Sequence, residues 1–365
     1  MRRIAIRQRG VAMMLVLVMV VVASILGMCY LSVTTVKLAS TENLLGASRA
    51  RYLAESGLQH GLFLLRTGSD ALAGRTADDS AGPFYADGTG DSYVLYTEPD
   101  PAPLTYVLAA KATANGMTRT SRARIQLSND YRNRLMALGP LSYWRLGEVG
   151  GTAANDQTGR NPGQYECGVQ LARPGAIAGD LDQAAGFDGT DDHVELGNVH
   201  GLSGAAATFL VWFKADDFSV NNARLISKSA GTVADDHYWM LGTIRYEDEI
   251  RLCFRLKANG STATLIAGGG ALSTGRWTMA AATYDGTKMT LYKNGESVGQ
   301  RPKVGDVDVD SGVAAWIGGS PDSETSRPFH GTIDEVAVFQ RALSGSELRD
   351  LCNARMASVR VLSWQ

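Results

Sequence analysis

Residues 276–299 read RWTMAAATYDGTKMTLYKNGESVG, and they carry the clearest fold signal in the chain. Asp285-Gly286 and Asn294-Gly295 are two-residue turn signals, which predict two successive β-hairpins. Between these turns, residues 288–293 alternate in polarity, as a strand with one buried face does. The stretch therefore predicts antiparallel β-sheet.

The same pattern extends outward from these hairpins. In ATFLVWFKADD, residues 207–217, Phe209 and Val211 fall on one face of a strand and Leu210 and Trp212 on the other. Throughout the second half of the chain, short strands alternate with glycine-containing turns. This arrangement favours a β-sandwich or jelly roll.

Composition limits the possible functions. The 365 residues are 45% apolar and 20% charged, and a formal net charge of -2 gives no electrostatic drive toward nucleic acid. Forty-one glycines against ten prolines favour turn-rich β structure over disorder. Cys167, Cys253 and Cys352 lack zinc-type spacing. They can form one disulfide among them or remain free thiols.

The N-terminus has the pattern of a membrane span. Arg2, Arg3, Arg7 and Arg9 precede residues 11–31, which carry no charge. This segment would rise about 32 Å as a helix, and a bilayer core is about 30 Å thick. By the positive-inside rule, the N-terminus is cytoplasmic and the rest of the chain is periplasmic or on the cell surface. We therefore expect a single-pass protein of the bacterial inner membrane.

Helical periodicity continues beyond this span. Leu38, Leu45 and Tyr52 recur every seven residues and no proline occurs before Pro83, so one helix is expected to about Arg66. Its outer half is amphipathic and needs a surface to pack on. Three β-rich segments follow and can provide that surface, the last two joined by an Asn-Gly turn: SYVLYTE (92–98), LTYVLAAKAT (104–113) and TRTSRARIQL (118–127).

The N-terminal region resembles type IV minor pilins and general-secretion pseudopilins. The resemblance rests on the junction at Gly10 and Val11, the apolar helix, and SRARYLAESGLQHGL at residues 48–62. It implies that a prepilin peptidase cuts between Gly10 and Val11 and that other pilin or pseudopilin subunits are partners. Leu15 stands where most such pilins carry a glutamate, which suggests a minor, tip-like subunit. A plain signal anchor is the alternative.

The second half resembles the laminin G-like, concanavalin A-like jelly roll. Besides the hairpins, four motifs in order carry the resemblance: LSYWRLGE (141–148), NDQTGRNPG (155–163), AAGFDGTDDHVELG (184–197) and GTIDEVAVFQRALSGSEL (331–348). The family implies a glycan or protein ligand and a structural calcium ion (Ca2+), bound through oxygen ligands. Asp156 and Asp334 are the first candidate ligands, and Asn155, Asp191 and Asp192 are weaker ones. Alternatively, these side chains only cap turns.

The sequence favours binding over catalysis. It contains no G-x-S-x-G or H-E-x-x-H, and its five histidines show no metal-ligand spacing. Related sandwich glycosidases use paired carboxylates on one strand, and the nearest pair here is Glu247 and Glu249 in YEDEI. That pair fits a polar turn better. Five tryptophans could stack on sugars but are expected mainly in the core: Trp144, Trp212, Trp239, Trp277 and Trp316.

Together, these patterns predict an α+β pilin-like region, with a long N-terminal helix and a small antiparallel sheet, followed by an all-β jelly-roll sandwich. The expected divisions are a cytoplasmic leader (1–10), a transmembrane helix (11–31), an amphipathic extension (32–66), a pilin-like head (67–128), a connector (129–140), the jelly roll (141–355) and a C-terminal tail (356–365).

The predicted function is that of a non-enzymatic surface protein, which displays a lectin-like domain for adhesion or ligand binding. Three alternatives remain open. They are a membrane-tethered enzyme acting on glycans, a signal-anchored lectin outside any filament, and a scaffold that only plugs a secretion machine.

Overall fold

The computed structural model describes residues 7–66, 72, 75–86, 90–231, 233–321 and 327–365. Most of the predicted leader, residues 1–6, lies outside this part of the chain. The chain divides into two compact units. The head unit contains the N-terminal helix, the residues up to 126 and residues 360–365, and the sandwich unit contains residues 127–359.

The N-terminal helix is continuous, as predicted. Helix α1 spans Arg7–Arg66. Its segment Met13–Arg66 is long and apolar enough to cross a membrane. The most apolar stretch of this segment is not buried against the rest of the chain. A signal sequence satisfies the same criterion, so the length and composition of α1 fit a single-pass anchor or a signal sequence.

The head sheet has the strand order β1-β2-β3-β4-β21. Strands β2, β3 and β4 match the three predicted segments, and Asn115 and Gly116 form the predicted turn with φ angles of 47° and 76°. The strand bounds are β1 Ala81–Tyr85, β2 Ser92–Pro99, β3 Thr105–Ala114, β4 Met117–Ser128 and β21 Ser358–Trp364.

Strand β21 corrects the prediction of a C-terminal tail at residues 356–365. Backbone groups of Gln365 and Arg122 exchange two hydrogen bonds, of 2.8 and 2.9 Å, so the C-terminus adds a fifth strand to the head sheet. The alternation of Val359 and Val361 with polar residues is a strand signal. Its partner β4 lies far earlier in the sequence, so local pattern could not identify the pairing.

Small residues allow α1 to pack closely on the head sheet. Ala50 and Ala54 are buried there. A Cβ atom at Gly57 would lie 2.8 Å from Tyr93 Cδ2, and one at Gly61 would lie 2.9 Å from Leu108 Cδ2. The sheet therefore covers the helix face marked by these small residues. The predicted apolar stripe is exposed instead, at Leu38, Leu45 and Tyr52.

The sandwich unit contains two antiparallel sheets. Sheet I has the order β15-β14-β13-β12-β19-β10-β7-β6, and sheet II has the order β18-β17-β16-β11-β20-β9-β8, with β5 paired to β20. The bounds are β5 Ser142–Trp144, β6 Ala153–Ala154, β7 Gly163–Glu166, β8 Gln170–Pro174, β9 Gln183–Asp188, β10 His193–Glu195, β11 Ala207–Ala215, β12 Arg224–Ser229, β13 His237–Tyr246, β14 Glu249–Ala258, β15 Ser261–Ile266, β16 Thr278–Tyr284, β17 Lys288–Lys293, β18 Glu296–Pro302, β19 Ala315–Ile317 and β20 His330–Phe339.

Both hairpins of residues 276–299 form. Asn294-Gly295 makes the predicted two-residue turn, with φ angles of 51° and 82°. The β16–β17 connection is longer than the predicted Asp285-Gly286 turn, because the last paired residues are Tyr284 and Met289. Asp285 closes this loop by accepting hydrogen bonds from the backbone N–H groups of Thr287 and Lys288, both at 2.9 Å.

The sandwich unit has two apolar cores. The inner core lies between the sheets and includes Phe209 and Val211. A second core, which includes Leu210 and Trp212, lies where two helices cover the outer face of sheet II. The predicted two-faced pattern of β11 therefore holds.

Helix α2 (Tyr131–Ala137) corrects the prediction of a connector at residues 129–140. Tyr131 and Leu135, one helical turn apart, are fully buried in the second core. The helix is too short for its periodicity to be recognised in sequence. Helix α3 (Gly345–Ala354) completes the cover, with the predicted capping box between Ser344 and Glu347.

Candidate binding and metal sites

Asp156, a predicted calcium ligand, holds a loop together. Its carboxylate accepts hydrogen bonds from the backbone N–H groups of Tyr143, Thr158, Arg160 and Asn161, at 2.8 to 3.2 Å. It also accepts the Thr158 hydroxyl proton, at 2.8 Å. Both carboxylate oxygens are thus occupied by the chain itself. The turn-capping alternative describes this residue better than metal ligation.

Of the three weaker candidate ligands, Asn155 lies apart from the other two. Asn155 is exposed and donates its side-chain N–H to Glu148 Oε1, at 2.9 Å. Asp191 and Asp192 do come together, with Asp188 as a third member of their acidic group. Asp156 and Asn155 belong to neither of the two acidic groups in the described part of the chain.

A β-bulge brings Asp334 into the other acidic group. Strand β20 has one extra residue between the pairs Leu210–Ala337 and Trp212–Asp334, and Glu335, with a φ of 51°, lies in this bulge. The neighbouring carboxylates of Asp334 and Glu335 then meet Asp182. One ligand oxygen of each lies within 4.8 Å of the others. Sequence reasoning missed Asp182 because it comes from a distant loop.

Arg145 partly neutralises this cluster. Its Nη2 lies 2.7 Å from Glu335 Oε1 and 2.8 Å from Asp180 Oδ2, and its Nε lies 3.1 Å from Asp182 Oδ2. Asp334 Oδ2 accepts the Ala176 backbone N–H at 2.7 Å. Asp334 Oδ1 is buried and has no hydrogen-bond partner among the described residues.

Burial favours the protonated forms of two carboxyl groups in this cluster. Burial raises the pKa of Asp182 to about 6, and burial raises the pKa of Asp334 well above its ordinary value. Asp180 and Glu335 add two further carboxyl groups, against the single guanidinium of Arg145. A divalent cation with oxygen ligands fits this charge and the open Oδ1 of Asp334.

A cleft of about 350 Å³ with both polar and apolar lining residues lies in the sandwich unit. Two loops and two strands line it, residues 198–203 and 308–311 together with Lys228 of β12 and Trp239 of β13. These segments are far apart in sequence, so no local motif marks them. Only the tertiary packing brings them together, so the sequence could not reveal this cleft.

Both hydrogen-bond donors and acceptors line this cleft. Lys228 is buried, its Nζ donates to the Asn198 carbonyl at 2.7 Å, and burial lowers its pKa. Asp310 Oδ2 accepts the Tyr238 hydroxyl proton at 2.8 Å. Asn198 Oδ1 is buried and has no hydrogen-bond partner among the described residues. Such a mixture suits a ligand rich in hydroxyl groups.

The predicted core tryptophans are mostly in the core. Trp144, Trp212, Trp239 and Trp277 are buried. Trp316 lies at the surface of sheet I, stacked on His193 with ring centroids 3.6 Å apart. The tryptophan set therefore contributes to packing more than to a sugar-stacking platform.

The candidate catalytic pair lies in a turn. Glu247 and Asp248, with φ angles of 49° and 64°, connect β13 to β14. Glu247 and Glu249 both form ion pairs with Arg251, at 3.5 and 3.1 Å. This exposed, ion-paired turn lacks the enclosed carboxylate pair that glycoside hydrolysis uses. All four cysteines are free thiols, so the disulfide alternative is not realised in this structure.

Replacing Asp156 tests its structural role. Asp156→Ala leaves several loop N–H donors unsatisfied and should lower the free energy of unfolding by about 3 kcal/mol, whereas Asn155→Ala should cost less than about 1 kcal/mol. Urea unfolding followed by tryptophan fluorescence measures the difference, because five of the six tryptophans lie in the sandwich unit. Equal losses in the two variants would contradict this role.

Comparison with known proteins supports the fold of the sandwich unit. A family model described as the concanavalin A-like lectin/glucanases superfamily matches residues 188–349. No curated protein sequence is significantly similar to the chain.

Several solved structures are similar at low identity. Domain 4 of an extracellular arabinanase from Geobacillus stearothermophilus, solved with arabinotriose, is 20% identical, with a TM-score of 0.42, over 58% of this chain and 98% of that one. A SAP-like pentraxin from Limulus polyphemus is 18% identical, with a TM-score of 0.37, over 46% and 80%. The ligand binding domain of botulinum neurotoxin serotype D, solved with N-acetylneuraminic acid, is 17% identical, with a TM-score of 0.43, over 58% and 50%. Residues 188–349 thus match a concanavalin A-like jelly-roll domain, on a chain that begins with a membrane-length apolar helix.

Proposed function

We propose that this protein is a non-enzymatic surface protein of the bacterial inner membrane, which uses its jelly roll to bind a glycan. The observation that carries the proposal is the cleft lined by Lys228, Asn198, Asp308 and Asp310. A pyranose ring offers hydroxyl groups that both donate and accept hydrogen bonds, and this cleft presents both kinds of partner. The lectin/glucanase description of the matching family agrees with a glycan ligand.

We further propose that the protein joins a filament-type assembly as a minor pilin or pseudopilin. The support is the continuous helix α1, its close packing on a small antiparallel sheet, and the resemblance around Gly10 and Val11. Leu38, Leu45 and Tyr52 stay exposed on α1 beyond the expected span, which leaves an apolar stripe for neighbouring subunits. A signal-anchored lectin outside any filament remains the alternative.

The glycan proposal predicts a loss of binding when the cleft changes. In the full-length protein in detergent, Asp310→Asn should weaken binding to the best ligand on a glycan array by about tenfold, because it removes a charged hydrogen-bond acceptor. Asp350→Asn, on exposed α3, removes the same charge and should leave binding unchanged. Equal binding by the wild type and Asp310→Asn would rule out this cleft.

The assembly proposal predicts the mature N-terminus. Protein isolated from its native membrane should begin at Val11, as determined by N-terminal sequencing, because cleavage after Gly10 retains the apolar helix. Gly10→Val should block this processing, and a matched Ala12→Val variant should not. A mature chain that begins at Met1, or beyond residue 31, would contradict the assembly proposal while leaving glycan binding intact.

A structural calcium ion forms a separate proposal. Asp334 and Asp182 would be its first ligands, in place of the sequence-based pair Asp156 and Asp334. Glu335 lies beside them, but its two oxygens already accept hydrogen bonds from Arg145 and the Tyr143 hydroxyl. The ion would supply positive charge that keeps these buried carboxylates ionised and would fix the loop of Asp182 against β20. Asp188, Asp191 and Asp192 form the second acidic group and are the competing location.

Calcium should raise the thermal unfolding midpoint of the wild type, by an amount that grows with its concentration above Kd. Asp334→Asn should abolish that response and should not destabilise the calcium-free protein, since burial already favours the neutral form of Asp334 and an asparagine oxygen can still accept the Ala176 N–H. Asp192→Asn is the control for the second acidic group. If the calcium-dependent rise in midpoint is lost in Asp192→Asn but kept in Asp334→Asn, the ion binds at Asp188, Asp191 and Asp192 instead.

A further inference from the structure

Basic side chains converge on the outer face of sheet I, away from the cleft residues. His237, at the start of β13, is buried, and its Nδ1 lies 3.0 Å from the Val233 carbonyl oxygen. Its Nε2 lies 3.1 Å from Arg224 Nη2 and 3.2 Å from Arg255 Nη1. Guanidinium N–H groups only donate, so Nε2 accepts and Nδ1 carries the proton. Two guanidinium groups therefore meet at one uncharged imidazole.

Within the described part of the chain, no carboxylate pairs with the positive charge of Arg255. Among the described residues, its one hydrogen bond goes to His237, and its Nε is buried without a partner. Arg251, on the same face of β14, is instead paired with Glu247 and Glu249. A half-buried guanidinium with unused donors is costly, and an oxyanion would satisfy both its charge and its N–H groups.

Open space lies next to Arg255. Thr264 pairs with Arg255 across β14 and β15. It lines a groove of about 430 Å³ together with Arg251, Tyr246 and Glu247, and the Glu247 carboxylate is ion-paired with Arg251. Tyr246 is 41% exposed, and Arg251 lies over its ring at 5.2 Å. An extended ligand in this groove could therefore present a charged group to Arg255.

We infer that Arg255, with Arg224 and His237 beside it, binds an oxyanion, and that its source is an acidic glycan carrying carboxylate or sulfate groups. The oxyanion site follows from the side chains themselves, and the glycan source rests on the proposed function. A guanidinium matches both anions, because its planar fork can donate two parallel hydrogen bonds. Neutral glycans would not use this site.

The test compares three soluble polymers on the full-length protein in detergent. Polygalacturonate presents carboxylates, dextran sulfate presents sulfate esters, and dextran presents neither. Arg255→Gln should weaken binding of at least one charged polymer by roughly tenfold or more and leave dextran binding unchanged. Arg349→Gln removes the same charge at an exposed position of α3, outside this groove, and should have little effect. The charged polymer that responds identifies the anion.

Inorganic sulfate separates this site from the proposed function. Sulfate should raise the thermal unfolding midpoint of the wild type more than that of Arg255→Gln, with sodium chloride at equal ionic strength as the control. That difference without any polymer binding would support the oxyanion site and overturn its glycan source. Equal sulfate responses together with equal polymer affinities would overturn the site, even if the cleft binds a neutral glycan. If Arg255→Gln does not fold, Arg255→Lys replaces it, because the lysine keeps the charge but loses the fork.

Discussion

The sandwich unit depends on burying both faces of strand β11. Phe209 and Val211 enter the inner core, whereas Leu210 and Trp212 enter the second core beneath α2 and α3. Since side chains alternate with a period of two, a shift of one residue would exchange the two sets. Trp212 also donates its Nε1 proton to the Tyr131 hydroxyl, at 2.9 Å, which ties α2 to this register. Both cores of the sandwich unit thus depend on the register of β11.

This doubly buried strand explains where the acidic cluster lies. The bulge in β20 occurs opposite β11, so Asp334 and Glu335 are adjacent carboxylates in a region otherwise filled by apolar side chains. Buried carboxylates weaken a fold unless they are paired, and Arg145 pairs only part of them. Asp334 and Glu335 are both buried. The calcium proposal therefore links metal binding to the stability of the second core.

The two proposed ligand sites differ in chemistry. The cleft combines the buried ammonium of Lys228 with the carboxylates of Asp308 and Asp310, so it suits hydroxyl groups. The outer face of sheet I carries Arg255 without a carboxylate partner among the described residues, so it suits anions. Both sites lie in the sandwich unit, while α1 supplies the membrane-length helix. With both sites, the domain could bind the hydroxyl groups and the acidic groups of one glycan at the same time.

Periodicity along the chain determined the elements, because helices and strands bury one face locally. The helix to Arg66, the three head strands, both hairpins and the capping box could all be predicted in this way. Contacts between distant segments could not be predicted from periodicity. For this reason residues 356–365 were expected to be a tail and residues 129–140 a connector. The sites follow the same rule. Asp334 was found from a motif, but its partner Asp182, the cleft around Lys228 and the convergence of Arg224 and Arg255 on His237 exist only after the sheets assemble. Sequence specifies which groups can act, and tertiary packing decides which of them meet.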